Sequence, residues 1–137
     1  MFILIIQIII VYILSCIIHE MGHSDAASFL GDDTAEKEGR SSLNPFKHLT
    51  LFGFRAVPIR LVDHVDLILV NAAGITANLA LIFIASLFLM VKDFQIFHII
   101  IWINIFLVVI NLIPMKFKET TTDGWKIIKH LVSIIKK

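Results

Sequence analysis

The sequence predicts an all-α integral membrane protein with three transmembrane helices, a short strand-containing loop after the first and a C-terminal amphipathic helix. Apolar residues make up 58% of the 137 residues. Charged residues make up only 17%, against about a quarter in soluble proteins. The apolar residues also fall into three long segments that polar residues separate. The length predicts a single membrane-embedded domain over residues 1–137.

Charge and cysteine content exclude two other classes of protein. The net charge is only +1, and no basic patch interleaved with aromatic residues occurs, so no nucleic-acid partner is expected. The single cysteine, Cys16, excludes an internal disulfide framework. The expected surroundings are the lipid bilayer of a bacterial cell membrane. The residues indicate no oligomeric state.

The first apolar segment, residues 1–18, carries no charge and is long enough to enter a bilayer, which takes about 20 residues to cross. Its helix is expected to continue to residue 29 and to end near Gly31. A cleaved signal peptide is disfavoured, because a positive n-region is missing and the apolar stretch is too long. Residues 13–16 faintly resemble a lipoprotein cleavage box, but the chain stays apolar beyond them.

The remaining segments complete the predicted topology. A second crossing is expected over residues 65–91, with small residues at 71–78 that favour close helix packing, and a third over residues 94–113. Residues 46–61 mix apolar and polar side chains with Gly and Pro, which favours short strands over a helix. After Asp123, apolar residues at helical spacing alternate with lysines, which predicts an amphipathic helix on the membrane surface.

Basic residues predict the orientation in the membrane. Lys92 alone lies between the second and third crossings. The other eleven basic residues lie after the first or the third crossing: Lys37, Arg40, Lys47, Arg55, Arg60, Lys116, Lys118, Lys126, Lys129, Lys136 and Lys137. Because cytoplasmic segments are enriched in Lys and Arg, this side is predicted to be cytoplasmic and the N-terminus to lie outside.

An H-E-x-x-H sequence at residues 19–23 ends the first apolar segment. Residues four apart lie on one face of a helix, so His19 and His23 can bind one metal ion. Glu20 lies beside them, where a general base acting on a metal-activated water is expected. A polar cluster without a function is the alternative. It is disfavoured because two histidines and a glutamate in an apolar helix are costly unless something pairs with them.

A third ligand is expected, because a catalytic zinc usually takes three protein ligands and leaves one position open. The predicted topology returns the chain to the histidines' side after the third crossing. Asp123 is the favoured carboxylate there, since Gly124 beside it permits a close backbone approach. Glu119 remains an alternative, and Asp25 is too close to His23 in sequence to be preferred. One zinc ion per chain is predicted, with its site near the cytoplasmic side.

Several segments together resemble the site-2 proteases, a family of zinc intramembrane proteases. His19 to His23 matches the family's H-E-x-G-H helix, and the other similar segments are residues 44–48, 73–78, 111–114 and 123–124. Their order is that of the family, although Ile75 replaces a proline in the A-G-P-x-x-N segment. The resemblance covers nearly the whole chain and is to the minimal three-helix core alone, without an additional PDZ or nucleotide-sensing domain.

The resemblance implies a function and roles for six residues. The chain would hydrolyse peptide bonds in a membrane-spanning or membrane-inserted protein or precursor peptide. The implied roles are zinc binding for His19, His23 and Asp123, general base for Glu20, and positioning of the substrate backbone for Asn78 and Asn111. One spacing departs from the family, because nine positions separate Pro114 from Asp123. The family spacing is usually shorter, which keeps Glu119 as the alternative third ligand.

Two other functions fit parts of the sequence. The chain could bind metal without catalysis, as an accessory or immunity protein of a membrane complex, but metal binding alone does not require Glu20. It could also be a small transporter subunit. A single polar cluster near one end of three crossings makes a poor conduction path, which disfavours that interpretation.

Overall fold

The computed structural model describes residues 1–39, 42, 44, 49–50, 53–54, 59–117 and 120–136. The helices in this part of the chain are α1 (Phe2–Phe29), α2 (Thr34–Lys37), α3 (His64–Val91), α4 (Gln95–Leu112) and α5 (Asp123–Ile135). The strands are β1 (Leu49–Thr50), β2 (Gly53–Phe54), β3 (Lys116–Phe117) and β4 (Thr120–Thr121). The protein is mainly helical, as the sequence predicts.

Three helices, α1, α3 and α4, are long and apolar enough to cross a membrane, with 28, 28 and 18 residues. Each begins and ends within one residue of its predicted bounds, so the three predicted crossings are confirmed. Large apolar side chains cover their outward faces: Ile9, Phe83 and Trp102 are 52%, 65% and 69% exposed. Such surfaces are suited to lipid, which supports a membrane protein.

Helix α3 is the centre of the fold and packs against α1, α4 and α5. The contact between α1 and α3 is close, because a Cβ atom on Gly22 would lie 2.9 Å from the Ala73 carbonyl oxygen and 3.1 Å from the Ala77 Cβ atom. Small residues allow membrane helices to approach in this way. The small-residue segment predicted to favour packing therefore lies in the α1–α3 interface.

A buried polar contact joins α4 to α1. Asn104 is fully buried, and its Nδ2 atom donates to Ser15 Oγ at 2.9 Å and to the Ile100 carbonyl oxygen at 2.8 Å. Side-chain amides that bridge helices in this way stabilise membrane bundles by about 0.6 kcal/mol on average. This contact fixes the rotation of α4 relative to the helix that carries the histidines.

A two-stranded hairpin follows α1, where the sequence predicts short strands. Strand β1 pairs with β2 in antiparallel orientation, with Leu49 opposite Phe54 and Thr50 opposite Gly53. Other parts of the predicted strand region, including His48, lie outside the described residues. The charged segment before it contains the single-turn helix α2.

A second hairpin, for which the sequence analysis predicts no strands, precedes α5. Lys116 lies opposite Thr121, and Phe117 opposite Thr120. The chain leaves α4 and returns to it here, because Thr122 N–H donates to the Met115 carbonyl at 3.1 Å and Thr122 Oγ1 donates to the Ile113 carbonyl at 2.7 Å. Strands β3 and β4 thus pair before Asp123, and α5 begins beside the end of α4.

Candidate metal centre

His19 and His23 project from the same face of α1, as their spacing of four residues predicts. Both lie in the buried part of the helix, with exposed fractions of 7% and 5%. Their Nε2 atoms are 3.2 Å apart. The rings are perpendicular, with centroids 4.7 Å apart. The two imidazoles therefore present one nitrogen each to a common point.

Asp123 approaches this point from α5, more than one hundred positions further along the chain. Its Oδ2 atom lies 3.0 Å from His19 Nε2 and 3.2 Å from His23 Nε2, and the residue is buried. Two neighbours place it there. Thr122 caps the helix by accepting from Trp125 N–H at 3.4 Å. A Cβ atom on Gly124 would lie 2.8 Å from the Leu112 carbonyl carbon, so glycine lets α5 begin directly against α4.

The outer nitrogens of both histidines have acceptors, which sets their tautomers. His19 Nδ1 is 3.1 Å from Asn78 Oδ1, and His23 Nδ1 is 2.7 Å from the Val70 carbonyl oxygen. These oxygens only accept, so each Nδ1 carries the proton and each Nε2 of a neutral ring carries a lone pair. Two lone pairs and a carboxylate oxygen then meet within 3.2 Å. Such a cluster of acceptors could hold a metal ion between them.

The dimensions of the cluster fit zinc. Tetrahedral zinc with bonds of 2.0–2.1 Å to nitrogen and oxygen holds its ligand atoms about 3.3 Å apart, close to the 3.0–3.2 Å found here. Gly74 on α3 forms the wall opposite. A Cβ atom there would lie 2.5 Å from His23 Nε2 and 2.8 Å from His19 Cε1. Glycine at this position keeps the ligand nitrogens unobstructed.

Lys126 holds the second oxygen of the Asp123 carboxylate. Its Nζ atom lies 2.9 Å from Asp123 Oδ1, whereas Oδ2 faces the histidines. Burial tends to raise the pKa of Asp123, but its contacts with His19 and His23, together with the charge of Lys126, hold that pKa well below its usual range. The carboxyl group is therefore ionised, as a metal ligand must be.

Glu20 lies beside the cluster and faces a small cavity between α1 and α4. The cavity has a volume of about 90 Å³ and is lined by Cys16, His19, Glu20, Leu107 and Asn111. This volume is sufficient for several water molecules. A side-chain carboxyl group, a histidine of the cluster and a side-chain amide thus share one water-sized space. The predicted roles of Glu20 and Asn111 stay predictions, and this is where the structure places both residues.

Asn78 is placed differently from Asn111. It is fully buried on α3, and its Oδ1 atom is committed to His19. Its Nδ2 atom is buried without a partner among the described residues. Partners of this kind orient a metal-binding histidine and usually contribute 10–100-fold to metal affinity. The role of Asn78 toward a substrate stays a prediction, and Glu119 lies outside the described residues.

The sequence analysis does not identify two residues of the site, Val70 and Lys126. The Val70 carbonyl could not be found, because any backbone carbonyl of α3 could have faced His23. Lys126 could have been found, since it follows Asp123 by three residues at the start of a helix, a spacing at which opposite charges meet.

Comparison with known proteins supports the interpretation of this cluster. The chain is 35% identical, over 91% of its length and 68% of the relative's, to a protein of Bacillus subtilis (strain 168) named "Putative zinc metalloprotease YwhC". No protein-family model matches the chain, and no solved structure matches it. Identity at this level over most of both chains is sufficient to assign a family. The chain therefore belongs to the family of this zinc metalloprotease.

Proposed function

We propose that the protein is an intramembrane zinc metalloprotease of the site-2 type, with one zinc ion per chain. The observation that carries the proposal is the meeting of His19 Nε2, His23 Nε2 and Asp123 Oδ2 within 3.2 Å, with both histidines on a helix long and apolar enough to cross a membrane. Glu20 lines the adjoining cavity. A structural metal site would need no acidic side chain in that place.

Each residue then has a defined task in peptide hydrolysis. His19, His23 and Asp123 hold the ion, which when bound supplies Lewis-acid chemistry, acidifying a water molecule and polarising the scissile carbonyl. Glu20 accepts the proton of the attacking water and returns it to the leaving amine. Asn111 lines the other wall of the cavity and would hydrogen-bond the substrate backbone.

The depth of the cluster supports a substrate within the membrane. His19 lies about 26 Å along α1 from Phe2, at about 1.5 Å per residue, and the hydrocarbon core is about 30 Å thick. The cluster therefore lies near one boundary of the core. A membrane-spanning or membrane-inserted peptide reaches this depth. Its helix must unwind locally before attack, and the hairpin β1–β2 is placed after α1 where it could receive an extended peptide as an additional strand.

The predicted orientation places this boundary on the cytoplasmic side. Impermeant thiol reagents applied to intact cells should label a cysteine introduced at Lys92 and not one introduced at Lys129. The native Cys16 is buried, so the wild-type protein should stay unlabelled and gives the background of the experiment. Labelling at 129 instead of 92 would reverse the orientation and move the site to the outer side.

The proposed function is tested by Glu20→Gln, with Glu36→Gln as a matched control in the same N-terminal third of the chain. Purified proteins are reconstituted with a membrane-spanning peptide, and both cleavage and zinc content are measured. Glu20→Gln should retain zinc and lose cleavage by about 10²–10⁴-fold, because only the proton acceptor is removed. Glu36→Gln should match the wild type.

Two outcomes would contradict the proposal. Full cleavage by Glu20→Gln would remove Glu20 from the mechanism. Zinc binding by the wild type without cleavage of any membrane peptide, in several reconstituted sequences, would favour the non-catalytic metal-binding protein that the sequence analysis keeps as the alternative.

A further inference from the structure

A second cavity lies where α5 meets the hairpin β3–β4, apart from the water-sized space beside Glu20. Its volume is about 320 Å³, and its lining residues are Lys116, Thr121, Trp125, Lys126, Lys129 and His130. Three lysines and a histidine therefore surround one space. Among the residues that the structure describes, the lining contains no acidic side chain.

The positive charge of this basic pocket is only partly compensated. Lys126 contacts Asp123, but neither Lys116 nor Lys129 forms an ion pair with an acidic side chain in the part of the chain that the structure describes. His130 Nδ1 lies 3.0 Å from His64 Nδ1, so its other neighbour is also a base. Burial, His64 and Lys129 all lower the pKa of His130, as expected where positive potential accumulates. An anion would be stabilised here.

The surface beside the basic pocket indicates what kind of anion fits. Trp125, Ile128 and Val132 recur at spacings of three and four along one face of α5 and are 36%, 44% and 42% exposed. Leu131 and Ile135 extend this apolar face. A free phosphate ion would leave it in contact with water. A phospholipid would cover it with its acyl chains while its phosphate enters the pocket.

We propose that the basic pocket binds the headgroup phosphate of an anionic phospholipid, with the apolar face of α5 in the boundary between headgroups and acyl chains. Lys116 and Lys129 provide the charge, and Trp125 lies where pocket and apolar face meet. A helix with lysines beside an apolar stripe is the pattern that binds anionic membrane surfaces. The inference rests on α5 and its hairpin and does not depend on the proposed protease activity.

The protein contains two tryptophans, so Trp102→Phe leaves Trp125 as a single fluorescent reporter. The zinc-loaded full chain with this change is titrated in detergent micelles with phosphatidylglycerol or phosphatidylcholine carrying brominated acyl chains. Bromine quenches tryptophan fluorescence at short range. Phosphatidylglycerol should quench Trp125 at a lower mole fraction than phosphatidylcholine, and added salt should reduce the difference.

Lys116→Gln with Lys129→Gln removes two charges of the pocket. It should weaken the phosphatidylglycerol effect by roughly 30-fold, at about a factor of five for each lysine. The matched control is Lys92→Gln with Lys136→Gln, which removes two exposed charges outside the pocket and should leave the titration within about twofold of the wild type. Equal zinc content in all variants verifies their folding.

Three results would overturn the proposal. Equal quenching by both lipids, with no salt dependence in the protein that retains all its lysines, would show that charge plays no part. An unchanged titration in the Lys116 and Lys129 variant would place lipid binding elsewhere. Displacement of phosphatidylglycerol by millimolar glycerol phosphate would show that the pocket takes a phosphate group without requiring the lipid.

Discussion

Two histidine pairs in this protein have nearly the same separation and very different surroundings. His19 and His23 hold their Nε2 atoms 3.2 Å apart, and His64 and His130 hold their Nδ1 atoms 3.0 Å apart. The first pair is buried between α1, α3 and α5, whereas the second is half-buried where α3 begins. The distance between nitrogens does not distinguish them.

Their partners distinguish them. Each ring of the first pair donates its outer proton to an oxygen, so two lone pairs face each other and the Asp123 carboxylate. The second pair can share one proton in an ordinary hydrogen bond, and His130 lines a cavity together with Lys126 and Lys129. A metal centre is thus indicated by the carboxylate and by the acceptors behind the rings. Two close histidines alone are not sufficient evidence.

The largest expected effect comes from removing the carboxylate, which would make the first pair resemble the second. Asp123→Asn should lower zinc affinity and cleavage by more than about 100-fold, because a neutral amide is a poorer metal ligand than a carboxylate. This loss exceeds the usual effect of removing a residue that only hydrogen-bonds a metal ligand. Glu119→Gln, the matched control at the competing position, should retain most of both. Zinc titration and peptide cleavage measure the two effects. The reverse pattern would show that Glu119, and not Asp123, is the third ligand.

The next effect concerns the space in front of the first pair. Gly74→Ala should prevent zinc binding while α3 remains intact, because alanine favours a helix over glycine by about 1 kcal/mol and the added Cβ atom meets His23 Nε2 and the His19 ring. Gly22→Ala is the control, since its Cβ atom meets the Ala73 carbonyl oxygen instead.

This control should lower the free energy of unfolding by about 1–3 kcal/mol and leave zinc bound in the folded fraction. Elemental analysis and thermal unfolding in detergent separate the two outcomes. Full zinc in Gly74→Ala would show that the ion does not lie at the histidine nitrogens.

The smallest effect concerns the second pair. The pKa of His130 is lowered from 6.5 in the folded protein, first by burial and then by His64 and Lys129. The unfolded chain therefore takes up a proton at this residue at a higher pH, and folding loses stability as the pH falls below about 6.5. Between about pH 7.5 and 5.5, His130→Gln should lose less thermal stability than the wild type. An identical slope in both proteins would contradict this assignment.

The parts of the molecule that the sequence predicted correctly depend on local patterns. Uninterrupted apolar segments are sufficient to locate α1, α3 and α4, because a membrane-spanning helix requires no information from elsewhere in the chain. His19, Glu20 and His23 lie within five residues of one helix. Counting crossings returns the chain to the histidines' side without any knowledge of packing, and Gly124 favours Asp123 as the carboxylate there.

The parts that were missed depend on how helices are rotated against each other. His64 and His130 lie 66 positions apart, and their contact is set by the rotation of α5 on α3. The hydrogen bond between Asn78 and His19 depends in the same way on how α1 and α3 are aligned against each other. Hairpin β3–β4 was missed because two-residue strands are too short for alternation to indicate them.

The most direct test of the account is the zinc content of three purified proteins: the wild type, His19→Ala with His23→Ala, and His64→Ala with His130→Ala. The two double variants remove the same atoms from the two pairs. We expect about one zinc per chain in the wild type and in the His64 and His130 variant, and none in the His19 and His23 variant. Equal zinc in all three, or zinc lost only with His64 and His130, would contradict the assignment of the metal centre.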